Sequence, residues 1–249
     1  MADKFEKARG LIYAAHDEDP NKHSKADGTE MPYETHYSQK MESYLHKRAP
    51  DASDVLKLAI CGQHFRRWEV RRDSFKDGRL GYHSWRTHLK QRQAKLVGDI
   101  LEQSGYAAED VQRCRALIGK EGLKQGEEEV QLLEDVACLV FLDDQFEEFK
   151  EKHDEPKIIS ILQKTWGKMS QEGHDMALQL PMTEECKALV GKALAPGYMT
   201  HWSISEDHLG SSAVQHSIPP RQRSCGSIAG SVCNTTKPVY VVLVLVQGV

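Results

Sequence analysis

Between Gln63 and Lys95 the chain places ten Lys/Arg residues (Arg66, Arg67, Arg71, Arg72, Lys76, Arg79, Arg86, Lys90, Arg92, Lys95) against three acids (Glu69, Asp73, Asp77). That is a local charge of +7 in a chain whose formal net charge is -4. Guanidinium groups present a planar donor fork that matches phosphate and carboxylate bidentately, so a cluster of this density suits an anion site. Phe65, Trp68, Tyr82 and Trp85 are interleaved with the cations. The phosphate-binding candidates are Arg66, Arg67, Arg71, Arg79 and Arg86. His64 opens the same stretch, and imidazole titrates near neutral pH, so it is a candidate for proton transfer or for metal ligation.

A second set of candidates lies far along the chain. Leu132–Leu142, LLEDVACLVFL, is apolar all round, the mark of a central buried helix, yet it contains Glu134 and Asp135. A buried carboxylate needs a cation, a metal or several donors beside it. Glu134 and Asp135 therefore join His64 as candidate catalytic residues, with His64 and Asp135 as candidate ligands of a divalent ion such as Mn, Mg or Fe. The segment 121–155 carries thirteen acids and three lysines, a local charge of -10. It is the natural electrostatic partner of the basic stretch, so a purely structural clamp between the two competes with any functional reading.

The elements that must position these residues are helices. At 249 residues, 39% hydrophobic and 28% charged, the chain can bury one sizeable core. Apolar residues at helical spacing predict helices over 3–15, 33–48, 54 to about 67, 82–104, 108–118, 127 to about 152, 155 to about 173, and one or two more to 194. Residues 16–32 read as a polar loop, in which the His16-Asp17 pair is expected to be solvated, and 73–81 reads as a basic loop broken by Gly78 and Gly81. The expected fold is all-α, a single helical bundle over 1–195. After Pro196 the sequence becomes rich in Ser, Gly and Pro and loses periodicity, predicting a disordered tail over 196–249.

No run approaches the ~18 apolar residues of a membrane span, and the first ten residues are charged where a secretory leader would be apolar. Six cysteines without a C-x-x-C pair read as free thiols. A cytoplasmic protein with no membrane partner is the expectation.

Several segments together resemble a known family. Tyr37-Ser38-Gln39-Lys40-Met41, Pro50-Asp51-Ala52-Ser53, Gln63-His64-Phe65-Arg66-Arg67-Trp68, Gly78-Arg79-Leu80-Gly81-Tyr82, Leu133-Glu134-Asp135-Val136 and Lys164-Thr165-Trp166 are similar to the uncharacterised family called domain of unknown function 4202, over roughly residues 5–194. Some members of that family carry the label glutamyl-tRNA synthetase. A class I synthetase needs a nucleotide-binding fold of parallel strands with a HIGH-type motif, and this chain has neither the strands nor the Gly-rich turn. Lys168-Met169-Ser170 matches only part of the KMSKS loop of such enzymes.

The order of candidates also resembles that in the HD phosphohydrolases, helical enzymes that hold a divalent ion between a His on an early helix, a His-Asp pair and a later Asp. Here His36 or Gln39, then Gln63-His64, then Glu134-Asp135 follow in that order, with Gln-His where His-Asp would stand. The resemblance implies a binder of a phosphorylated small molecule or nucleotide, with metal-dependent phosphohydrolysis as the activity to test. The alternative is an RNA or polyanion module that stacks bases on Trp68, Tyr82 and Trp85.

Overall fold

The computed structural model describes residues 3–25 and 27–195, so the expectation of a disordered tail over 196–249 lies outside the described residues. The all-α expectation holds. Helices α1 (Lys4–His16), α2 (Tyr33–Arg48), α3 (Asp54–Cys61), α4 (Gly78–Gln103), α5 (Ala108–Gly119) and α6 (Glu128–Val140) form the body. Helices α7 (Phe146–Glu151), α8 (Glu155–Trp166), α9 (Gln171–Ala177) and α10 (Glu184–Leu194) complete it. Two three-residue strands, β1 (Lys22–Ser24) and β2 (Glu30–Pro32), pair antiparallel between α1 and α2. They fall inside the segment that reads as a loop, because strands this short carry too few alternating residues to show a period.

Helix α6 is the centre. From Leu133 to Val140 every residue is buried, including Glu134 and Asp135, as its all-round apolar sequence requires. Helix α2 packs along it, α4 pairs with α5, and α3 lies between α2 and α5. Side-chain caps fix several helix starts: Ser53 accepts from the Leu56 amide, Glu127 from Val130, and Thr183 from Cys186. Cys61, Cys114, Cys138 and Cys186 are buried free thiols. Among the described residues no helix is long and apolar enough to cross a membrane.

Four boundaries differ from the sequence-based expectation; α4 begins at Gly78, inside the segment read as a basic loop, after Asp77 as its N-cap. Helix α3 stops at Cys61, six residues before the anticipated end, with Gly62 as its C-cap. A Cβ at Gly62 would come within 2.8 Å of Val97, so glycine is what lets α4 approach there. The helix over 127–152 is interrupted by a π-helical segment, Phe141–Gln145. The helix over 155–173 is two helices, because the Ser170 hydroxyl accepts from the Gly173 amide and starts α9 anew, leaving Lys168-Met169-Ser170 in the turn between them.

Candidate functional site

The turn after α3 carries the centre of the basic stretch, and three residues from earlier helices dictate its shape. His16, expected in solvent, is fully buried: its Nε2 lies 2.9 Å from the Cys61 carbonyl and its Nδ1 3.1 Å from Glu34. The Ser38 hydroxyl donates to the same carbonyl. The backbone amides of Arg66 and Arg67 donate to the Glu34 carboxylate at 2.9 and 2.7 Å. These side chains supply the partners that a longer α3 would have supplied, and so the helix ends. Burial pushes the Glu34 carboxyl up, against the opposing hydrogen bond from His16.

The resulting backbone is strained. His64 and Arg66 have φ of 62° and 47°, in the left-handed region that branched or bulky side chains avoid. Lys120, the C-cap of α5, has φ 56°. These are the non-glycine residues with positive φ among those described, and two of them, His64 and Lys120, line one cleft. Such conformations cost of order 1–3 kcal/mol each and cluster at functional sites.

The cleft brings together His64, Arg67, Arg86, Lys90, Gln93 and Lys120. On the other side of His64 and Arg67 lies a larger cavity of about 210 Å³, walled by Tyr33, Glu34, Trp68, Val70, Arg71, Arg72 and Trp85 and by Asp19–Asn21. The Arg67 guanidinium stands 4.8 Å from the centre of the Trp85 ring. The His64 ring stacks on Tyr37 at 4.0 Å between centroids.

Four cations with little to neutralise them shape the electrostatics. Burial, then Arg86, brings Arg67 down to about 9. Burial, then Arg67, Lys120 and Arg86, holds His64 well below its ordinary value, so it is a neutral imidazole at pH 7. Lys90 is lowered by burial and by Arg86 and Lys120. The described acid that answers them is Glu134: burial would raise it, but Lys120 and Lys168 outweigh burial and hold it low.

Three buried donors around this region have no acceptor: Arg67 Nη2, Trp68 Nε1 and Gln93 Nε2. Buried polar atoms are nearly always paired, so three orphaned N–H groups flanking one wall are unusual. What fits them is an acceptor-rich, negatively charged group.

The structure therefore gathers His64, Arg67 and Arg86 at one site, with Glu134 reaching it through Lys120. Arg66 is placed elsewhere, and Arg71 stands at the wall of the adjoining cavity with its guanidinium turned to Asp73. Arg66 pairs with Glu18 and Glu69, and Arg71 pairs with Asp73 on the surface. Arg79 is exposed in the first turn of α4. Asp135, taken from the sequence as a metal ligand beside His64, accepts from the Ser170 amide at 2.8 Å, the Ser170 hydroxyl at 2.5 Å and Gln131 at 3.0 Å, and so anchors the start of α9. Arg48 lies 3.8 Å from it.

Among the described residues most charges of the basic and acidic segments pair within their own segment or with other cations, Arg86 acting on Glu134 across the two. Arg66 and Arg92 meet at Glu69, within the basic stretch, while acids of 121–155 pair with Lys40, Arg113, Lys120, Lys150 and Lys168. Sequence reasoning missed Glu34, Lys90 and Lys120. Lys120 follows the last turn of α5, a place where a cation is unremarkable, and Glu34 sits in a helix whose apolar face drew attention to other positions.

The comparisons agree with the resemblance noted above. The family model described as Domain of unknown function (DUF4202) matches residues 6–190, and the chain belongs to that family. No curated protein and no solved structure matches it.

Proposed function

We propose that this protein binds a small phosphorylated molecule, with the phosphate at Arg67, Arg86, Lys90 and Lys120 and the rest of the ligand in the aromatic cavity beside them. The observation that carries this reading is the buried Arg67 guanidinium, whose Nη2 has no acceptor and whose neighbour is another arginine. A phosphate would supply both the missing acceptors and the missing charge. The cavity of about 210 Å³ is below the usual range for drug-sized ligands, which favours a compact molecule such as a sugar phosphate. Tyr33, Trp68 and Trp85 offer faces for a planar or apolar body.

His64, neutral and stacked on Tyr37, is a group of this site able to accept a proton, so phosphate-ester hydrolysis is the reaction to assay first. A polyanion track is disfavoured because the half-buried Arg66 and Arg92 and the exposed Arg71 are neutralised by Glu18, Glu69 and Asp73.

Thermal shift of the full chain against inorganic phosphate, pyrophosphate, sugar phosphates and nucleoside monophosphates tests the reading. A saturating ligand at a hundredfold its Kd adds ~2.7 kcal/mol. For a domain of this size that raises Tm by roughly 5–10 °C. The shift should survive 0.3 M NaCl and vanish in Arg86→Met. A wild-type protein insensitive to every phosphate compound refutes the proposal, and RNA binding with a steep salt dependence would replace it.

A further inference from the structure

Away from the phosphate cleft, three side chains from three different elements converge. His36 lies one helical turn beyond Tyr33 on α2, and its Nε2 is 2.7 Å from Asp144 Oδ1. The β1–β2 hairpin lays His23 face to face on His36, with 3.6 Å between ring centroids and 9° between planes. One ligand-capable atom from each of His23, His36 and Asp144 falls within 4.8 Å of the others.

Asp144 is brought there by the π-helical segment Phe141–Gln145. The wider turn directs both Asp143 and Asp144 at α2, where Asp143 meets Lys40 at 2.8 Å. Single π turns inside α-helices recur at functional sites. This one interrupts an otherwise continuous buried helix, at the point where it faces two histidines.

We propose that His23, His36 and Asp144 form a binding site for a divalent first-row transition metal. Two imidazoles and one carboxylate make a nitrogen-rich, borderline ligand set that suits Zn²⁺, Fe²⁺ or Co²⁺ better than Mg²⁺ or Ca²⁺. A metal with ligand bonds of ~2.1 Å would set the three atoms roughly 3.4 Å apart, which opens the 2.7 Å His36–Asp144 contact and needs His23, on its short hairpin, to move in and turn its ring out of the stack. The charges facing the site also suit a dication: Asp143, Asp144 and Glu148 lie around it against one cation, Lys40.

A simple structural pin accounts for less of the geometry. The His36–Asp144 and Lys40–Asp143 pairs already tie α2 to the π segment, and His23 adds nothing to that tie. What His23 adds is a third ligand atom. The inference is independent of the phosphate cleft.

The test is metal stoichiometry and affinity of the full chain, stripped with chelator and titrated calorimetrically with Zn²⁺, and with Co²⁺ followed by its visible absorption. Wild type should bind one equivalent that His23→Ala and Asp144→Asn lose or weaken by on the order of 100-fold. Sites elsewhere in the chain bind equally in all three proteins, so the difference is the readout. Asp144→Asn keeps the size of the side chain, and unchanged circular dichroism establishes that it folds. Equal stoichiometry and affinity in wild type and both variants overturn the proposal, as does a wild type that binds no Zn²⁺ or Co²⁺.

Discussion

Replacing Arg67 by methionine separates a binding residue from a structural one, because the two roles predict opposite signs. The drop of Arg67 from its ordinary value to about 9 reflects a charged form disfavoured by burial and by Arg86. At ~1.4 kcal/mol per pH unit this amounts to an order-of-magnitude penalty of about 5 kcal/mol in the unliganded protein. Methionine fills a similar volume without the charge. It forfeits the cation–π contact with Trp85, worth about 1–2 kcal/mol at a desolvated site, and a long 3.5 Å contact with His64.

The expected result is an unliganded variant more stable than wild type by about 3 kcal/mol, the behaviour of a buried charge with nothing to neutralise it. Urea denaturation monitored by tryptophan fluorescence measures this. The same variant should lose the phosphate-dependent rise in Tm entirely. A variant destabilised by 2 kcal/mol or more, with phosphate response intact, would show that Arg67 is a structural residue and that the orphaned donors mean nothing for ligand binding.

Three further outcomes follow from the same geometry. Glu34→Gln weakens the acceptor for two backbone amides and for His16, and should cost about 2–4 kcal/mol in urea denaturation together with the phosphate response. Ser170→Ala removes the α9 cap and a donor to Asp135, and should cost about 1–2 kcal/mol while the phosphate-induced shift in Tm stays unchanged, since Asp135 serves α9 and not the cleft.

The pH dependence carries the signature of His64. Its folded pKa is depressed, so below its unfolded value of ~6.5 the unfolded chain binds the extra proton and stability falls with falling pH. This residue alone should remove about 1 kcal/mol between pH 7 and 5.5, as read by urea midpoints. His64→Gln should lack that component, and saturating phosphate should shrink it by favouring the imidazolium. A wild type and variant with the same slope would show that His64 is not held neutral.

Much of the architecture was legible because it is periodic. The buried run Leu132–Leu142, the Pro50 and Ser53 boundary of α3 and the amphipathic α8 all announce themselves in spacing and caps. The candidate site was half legible. Arg67, Arg86 and His64 stand out by residue type and clustering. Lys90 lies in the same cluster but offers no planar fork to single it out, and Lys120 stands apart from the cluster, where a lysine ordinarily faces solvent.

Asp135 misled for a definite reason: a carboxylate inside an apolar run must have a partner, but sequence cannot say whether that partner is a metal or a serine hydroxyl two helices later. Of the His23–His36–Asp144 group only His36 was a candidate in the sequence, because Asp144 lies more than a hundred residues further on and a π turn, which no period reveals, brings it round.

The carboxylate of Glu34 has a consequence for how the molecule comes together. The amides of Arg66 and Arg67 take their positions from a side chain more than thirty residues earlier, and the Cys61 carbonyl takes its partner from the end of α1. An isolated fragment spanning α3 to α5 would contain the cleft's His64, arginines and lysines yet have no template for their backbone. Maturation of the cleft is thus coupled to docking of the first two helices, and amide exchange at Arg66 and Arg67 would act as a gauge of that docking, slow only once α1 and α2 are seated.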